Sequence, residues 1–268
     1  MAHKIAKYWR IVLVLQRNNF MTTAAYKQNF ILMTVAVAIV MAFNIIFLKV
    51  IFGYINNIAG WNYYELLIVI GSVMVVEGIL WIFGARMGAL GQSIRQGTLD
   101  GLLVKPADTQ FLISFWNCDH EDVPRVMIGG LLVYYGVSSL NLDIQTALIN
   151  LFFYLILLIN AVVVAYSLTL ILKTMYFWTI VDYSLHSLIE AISQISKYPT
   201  DIFTSFYLRS LFTILLPLAF IATVPAKVLA RGFDWWLVLG SCAMAIIFFT
   251  FSRKLWLFAL KHYQSASS

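Results

Sequence analysis

Charge is scarce in this chain of 268 residues: Asp, Glu, Lys and Arg make up 11% of it, against 62% for the hydrophobic residues. A soluble globular domain carries about 25% charged residues. With a mean hydropathy of +0.85, that class is excluded and an all-α polytopic membrane protein is expected. Cysteine is nearly missing too. Cys118 falls on or near a soluble loop and Cys242 inside an apolar run, so no disulfide is expected and both thiols read as inert. No G-x-x-x-x-G-K-[ST] run occurs, nor any Gly-Lys pair, which leaves no visible nucleotide site. H-E-x-x-H, C-x-x-C and G-x-S-x-G are absent as well, removing the commonest membrane hydrolase and metal signatures. An enzyme is therefore unsupported, and no catalytic, cofactor-binding or metal-ligating residue is assigned.

What the chain has in abundance is apolar runs. A hydrocarbon core of roughly 30 Å needs about 20 apolar residues per helical crossing. Residues 30–48 are broken only by Asn44 and 66–83 only by Glu77, while 147–172 hold Asn160 and no charge, and 235–251 are equally clean. Two further runs are more polar: 123–140 carries Arg125 at its start, and 175–195 carries Asp182, His186 and Glu190. Together they predict six transmembrane helices in a single domain, 1–268.

Cytoplasmic flanks are enriched in Lys and Arg. With the N-terminus inside, 13 of the 18 basic residues face the cytoplasm, and only Lys49, Lys197, Arg209, Lys227 and Arg231 face outward. Both termini are then cytoplasmic. The net charge of +6 is explained by these flanks and by anionic lipid headgroups, and no nucleic-acid partner is expected. Residues 1–29 show no cleavable signal peptide; 4–20 set Lys7, Arg10 and Arg17 on one side and Ile5, Trp9, Val12 and Leu13 towards another, which suits an interfacial elbow helix. In the outer region 197–234, the apolar stretch 208–224 is broken by Pro217 and reads as a re-entrant hairpin before the last span. In the other arrangement 208–224 spans and 175–195 lies at the surface, again with six crossings.

Asp182, His186 and Glu190 recur at i, i+4 and i+8, a stripe that drifts by roughly 80° around a helix. Ionisable groups at membrane depth face a bundle interior or a watery cavity, so with Glu77 they are candidates for a translocation path or proton relay. The plainer reading pairs His186 with its flanking carboxylates at the interface. Trp61, Tyr63, Tyr64, Trp178, Trp235, Trp236 and Trp256 read as an interfacial aromatic belt. Cys118-Asp119-His120-Glu121-Asp122 reads as a solvated acidic turn capping the helix that starts near Val123, with Pro124 in its first turn.

The soluble loop 87–122 holds Ile94-Arg95-Gln96-Gly97-Thr98-Leu99-Asp100-Gly101-Leu102-Leu103-Val104-Lys105-Pro106. This run resembles the I-x-x-G-x-L-D-x-L-L-x-[KR]-P pattern of ABC-2 type permeases related to daunorubicin-type exporters. Leu216-Pro217-Leu218-Ala219-Phe220, Val224-Pro225-Ala226 and the tail from His262 are similar too. The resemblance implies that 95–105 is a coupling helix docking on a separate cytosolic ATPase, with ATP and Mg²⁺ held there and a second, same or similar permease completing the unit in a bacterial inner membrane. Leu99, Leu102 and Leu103, at i, i+3 and i+4, form an apolar ridge, with Arg95, Gln96, Asp100 and Lys105 as its polar rim. A surface helix lying on the membrane has the same pattern. The chain departs from the family run at Gly101 and in the acidic turn 119–122. Two other functional classes fit less well: a proton-coupled secondary transporter, for which 30–140 and 147–257 show no internal repeat, and a membrane scaffold recruiting a cytosolic protein.

Overall fold

The computed structural model describes residues 2–25, 27–116, 119–179 and 182–263, the side chains at 2–5, 24, 85, 86 and 182–186 excepted. Among them the only extended pairing is an isolated bridge between Ile58 and Trp61; the rest is helix and turn. The elbow helix α1, Ala2–Ala25, is followed by α2, Lys27–Phe52, and α3, Tyr63–Gly88. A compact cap follows: α4 (Leu90–Arg95), α5 (Asp100–Leu103) and α6 (Thr109–Phe115). The chain then returns through α7 (Val123–Ser138), α8 (Ile144–Thr174) and α9 (Asp182–Ser196), and α10 (Phe206–Ser210) and α11 (Val224–Arg231) lead to α12, Trp235–His262.

Among the described residues, four stretches are long and apolar enough to cross a membrane: Lys27–Phe52, Tyr63–Gly84, Ile144–Phe177 and Trp235–His262. Phe206–Leu215 and Ala219–Arg231, bent by 73°, qualify only as a pair. The structure thus gives four to five crossings by length where the sequence predicts six. The two polar runs come out short. α7 has 16 residues, about 24 Å at 1.5 Å per residue, and α9 has 15 among the described residues.

α3 is the central helix, with 67% of its apolar stretch buried, whereas α2 buries 11%. α3 and α7 meet backbone to backbone through Gly71, Gly78, Gly129 and Gly136: a Cβ on Gly71 would lie 2.6 Å from the Gly129 carbonyl oxygen, and one on Gly136 2.8 Å from that of Tyr64. Small residues permit this approach where lipid tails are no less apolar than the partner helix. α8, 31 residues long, packs against α3, α11 and α12. The break in the bent pair follows from Pro217, which lacks an N–H and cannot continue a helix; wide π turns, Leu211–Leu215 and Ala219–Thr223, flank it. Pro225 falls in the first turn of α11, where a missing N–H costs nothing.

Candidate functional site

The cap differs from the single helix expected over 95–105. α4 stops at Gly97, whose φ of +68° is a left-handed conformation open to glycine. The Leu99 N–H and the Thr98 hydroxyl both reach back to the Ser93 carbonyl, at 3.2 and 3.4 Å. This reversal turns two members of the expected ridge inward. Leu99 and Leu102 are buried with Met87, Leu90, Ile113, Leu170 and Trp256, so the loop's apolar face packs on its own chain. Arg95, Gln96, Leu103, Val104 and Lys105 stay on the surface, Val104 at 83% exposure. Lys105 lies 4.2 Å over the Trp116 ring, and Asp100 is half-buried, its carboxylate helping burial to raise the Tyr263 phenol.

A polar clamp ties the cap to the last span. Asp108 caps α6 by accepting the Phe111 N–H at 3.1 Å, and Arg253 of α12 grips its two carboxylate oxygens at 3.0 and 2.5 Å while donating to Gln110 Oε1 at 2.8 Å. Burial alone would raise the Asp108 carboxyl, but the Arg253 guanidinium and the Phe111 and Gln110 amides outweigh it and hold the group below its ordinary value. Gln110 Nε2 and Ser114 Oγ lie 2.9 and 2.7 Å from the Tyr166 hydroxyl of α8. The elbow helix joins in: the Tyr8 hydroxyl accepts the Asp108 N–H at 3.1 Å, and Lys7 Nζ donates to the Pro106 carbonyl at 2.7 Å. Sequence reading missed this clamp, because Arg253 and Asp108 lie 145 residues apart and each looks like an ordinary flank charge.

Between α2, α3, α8 and α9, with the turn before α7 at its edge, lies a cavity of about 780 Å³. One part is apolar, with Val37, Val40, Met41 and Met74; another carries Glu77, Asp122, Arg125, Lys173, Glu190 and Lys197. Of the expected path residues it brings together Glu77 and Glu190; the side chains of Asp182 and His186 lie outside the described residues. Glu77 accepts a hydrogen bond from Ser193 of α9 and lies 3.8 Å from Arg125, which also pairs with Asp122 at 3.0 Å. Burial, with Asp119, Glu77 and Glu121 nearby, outweighs Arg125 and pushes Asp122 up to about 6. In the acidic turn it is Asp119 that caps, taking the Glu121 N–H at 3.0 Å; Cys118 lies outside the described residues. Lys173, three per cent exposed, lies 5.5 Å from the Tyr176 ring.

At the opposite end of α3 a second network closes. Asn62 and Glu65 cap each other's N–H groups at 2.9 Å, a reciprocal capping box. Arg231, at the end of α11, donates to both Glu65 oxygens at 2.8 and 3.0 Å and stacks 4.4 Å over Trp61. Trp61 Nε1 donates to Asp201 at 3.1 Å, and Arg209 donates to the same carboxylate at 2.5 Å. Arg209 from the start of the bent pair and Arg231 from its end therefore meet at one place.

No curated protein and no solved structure matches the chain. A family model described as ABC-2 family transporter protein matches residues 38–267, a stretch that takes in the cap, the outer network and all of the cavity lining but Ala36 and Val37. The chain therefore belongs to the ABC-2 transporter family, whose members are multi-pass membrane components of ABC transporters that generally work with a cytosolic ATPase subunit.

Proposed function

We propose that this chain is the permease subunit of an ABC exporter, in which two such chains, identical or similar, enclose a path for an unidentified substrate. ATP and Mg²⁺ belong to a separate ATPase, and the membrane is a bacterial inner membrane with the cap and both termini on its cytoplasmic side. The observation that carries this reading is the cap, a surface formed by Arg95, Gln96, Leu103, Val104 and Lys105 on a body anchored by Leu99 and Leu102 to the spans. A push on that surface has a rigid route inward: α6 holds Arg253 of α12 and Tyr166 of α8. The charged cavity, with Glu77 and Glu190, is the candidate path; Asp182 and His186 stay candidates by sequence.

Six crossings are part of this proposal. Before α9, Trp178 packs near Phe258 at the cap end of α12, with ring centroids 6.1 Å apart, and after α9 the chain reaches Asp201 beside Trp61. The stretch holding α9 thus runs from one end of the bundle to the other. Arg209 and Arg231 at that same outer network support a bent pair that enters and leaves the bilayer on one side.

The test is purification of the tagged chain in mild detergent from its own cells, with mass spectrometry of what accompanies it. A Walker-type ATPase should come with the parent and be lost from Val104→Asp combined with Lys105→Glu at unchanged yield. Equal recovery from both chains overturns the docking surface. A parent that brings no ATPase overturns the ATP-driven reading.

A further inference from the structure

A second cavity, of about 530 Å³, adjoins the charged one, Leu80 and Gly84 of α3 lining both. Its walls are Ile79, Leu80 and Phe83 of α3, Val162 and Val163 of α8, Phe249 of α12, and Phe111 and Phe115 of α6. α3 and α12 both pack along α8 and scarcely touch each other, so this is a groove between two spans with a third as its floor. α6 lines it at the cap end. Phe83 and Phe249, 40% and 48% exposed, stand on α3 and α12 at its two sides.

We infer that this groove holds an acyl chain of a membrane phospholipid from the leaflet on the cap side. All three spans present their cap-side portions to it, and at that depth the surrounding medium is lipid. Water there would face an almost wholly apolar wall and find few hydrogen-bond partners. The polar groups in the lining, Asp108, Gln110, Ser114, Tyr166 and Arg253, are already bonded to one another, so the groove asks its occupant for apolar surface. The volume is that of a small-ligand site, and its form, a cleft between helices, suits a flexible chain. Basic groups stand near the cap end for an anionic headgroup: Lys7, outside the groove's lining, lies on the Pro106 carbonyl, and the Arg253 side chain remains 35% exposed. The bound chain packs against the clamp that joins the cap to α8 and α12, making that joint sensitive to lipid. This inference rests on membrane placement alone and not on the ATPase.

The test takes the purified full chain through detergent exchange that strips loosely held lipid, followed by native mass spectrometry. The parent is expected to keep a phospholipid, and Val163→Trp, which fills the groove from its floor, to lose it while eluting as the parent does. A second measurement does not depend on that variant folding. With benzoylphenylalanine in place of Phe115, an aromatic already in the wall, and phosphatidylglycerol vesicles added to stripped protein, irradiation should place a phospholipid mass on the peptide containing residue 115. Equal lipid retention by folded Val163→Trp, detergent alone in the parent, or an unlabelled peptide overturns the inference. A retained hydrophobic solute other than phospholipid overturns it too and points to cargo. None of these outcomes bears on ATPase recruitment, so the two failures are distinguishable.

Discussion

Gly129→Ala and Gly130→Ala put the same methyl group on neighbouring residues of α7, and they should have opposite effects. An added Cβ at 129 would stand 2.8 Å from the Gly71 carbonyl oxygen and 2.8 Å from Met74 Cβ, while at 130 nothing lies within 4 Å. A carbonyl in mid-helix cannot turn aside, so α3 itself must retreat by about 0.6 Å to restore the 3.4 Å of ordinary contact. A gap of 0.5–1 Å forfeits roughly a quarter to a half of each dispersion contact along the seam, and overpacking of this kind costs about 1–3 kcal/mol. The helix propensity of alanine over glycine returns at most about 1 kcal/mol. The net expectation is a loss of about 1–2 kcal/mol for Gly129→Ala and a gain of up to about 1 kcal/mol for Gly130→Ala. In a chain of this size each kcal/mol moves the midpoint by about 2–4 °C, which thermal unfolding in detergent resolves. If Gly129→Ala is as stable as Gly130→Ala, the backbone seam is not what holds α3 to α7.

Gly97→Ala forces an L side chain into a left-handed conformation and should lower stability by about 1–2 kcal/mol, whereas Gly101→Ala, with nothing within 4 Å, should not; the same thermal scans check both. Arg231→Gln and Glu65→Gln should show a coupling of about 1–2 kcal/mol in a double-mutant cycle, less than a dry pair because the arginine is 35% exposed, and additive effects would refute the pairing. Asp122 titrates at about 6 in the folded chain against an ordinary value near 4, so folding favours its protonated form. That contribution is fully present below the ordinary value and is lost as pH rises through 6. Midpoints of Asp122→Asn and the parent should therefore keep a constant offset below pH 4, with the parent losing ground between pH 4 and 7; an offset that does not change with pH counts against the shift.

The long spans were legible because hydropathy alone fixes them, and residues 30–48 and 66–83 fall inside α2 and α3. The cap was legible as a place and not as a surface. The spacing of Leu99, Leu102 and Leu103 describes a ridge if the helix runs unbroken, but Gly97 reverses the chain just before it, and the ridge then finds Met87 and Trp256 within its own molecule. The first of those partners is 12 positions away from Leu99 and the second 157, a separation no periodicity carries. The same holds for Arg231 with Glu65, 166 residues apart; by sequence Arg231 counts only among the outward-facing basic residues. Glu77 stands out in the sequence as the one charge within its apolar run and is half-buried, and its neighbours Ser193 and Arg125 come from two other helices. The acidic turn was read as capping the helix from Val123, but Asp119 caps only the short turn His120–Asp122, and Asp122, at the start of α7, makes no side-chain cap and turns to Arg125.

The unequal burial of α2 and α3 gives the charged cavity one fixed wall and one loose one. α3 is pinned along its length by α7 and α8, and any movement of it must strip close backbone contact. α2 touches the rest of the bundle at few points, Met41 and Leu48 among them, so swinging it outward breaks little. On that side the cavity's width depends on whatever lies against the outer face of α2, lipid or a second copy, more than on the chain's own packing.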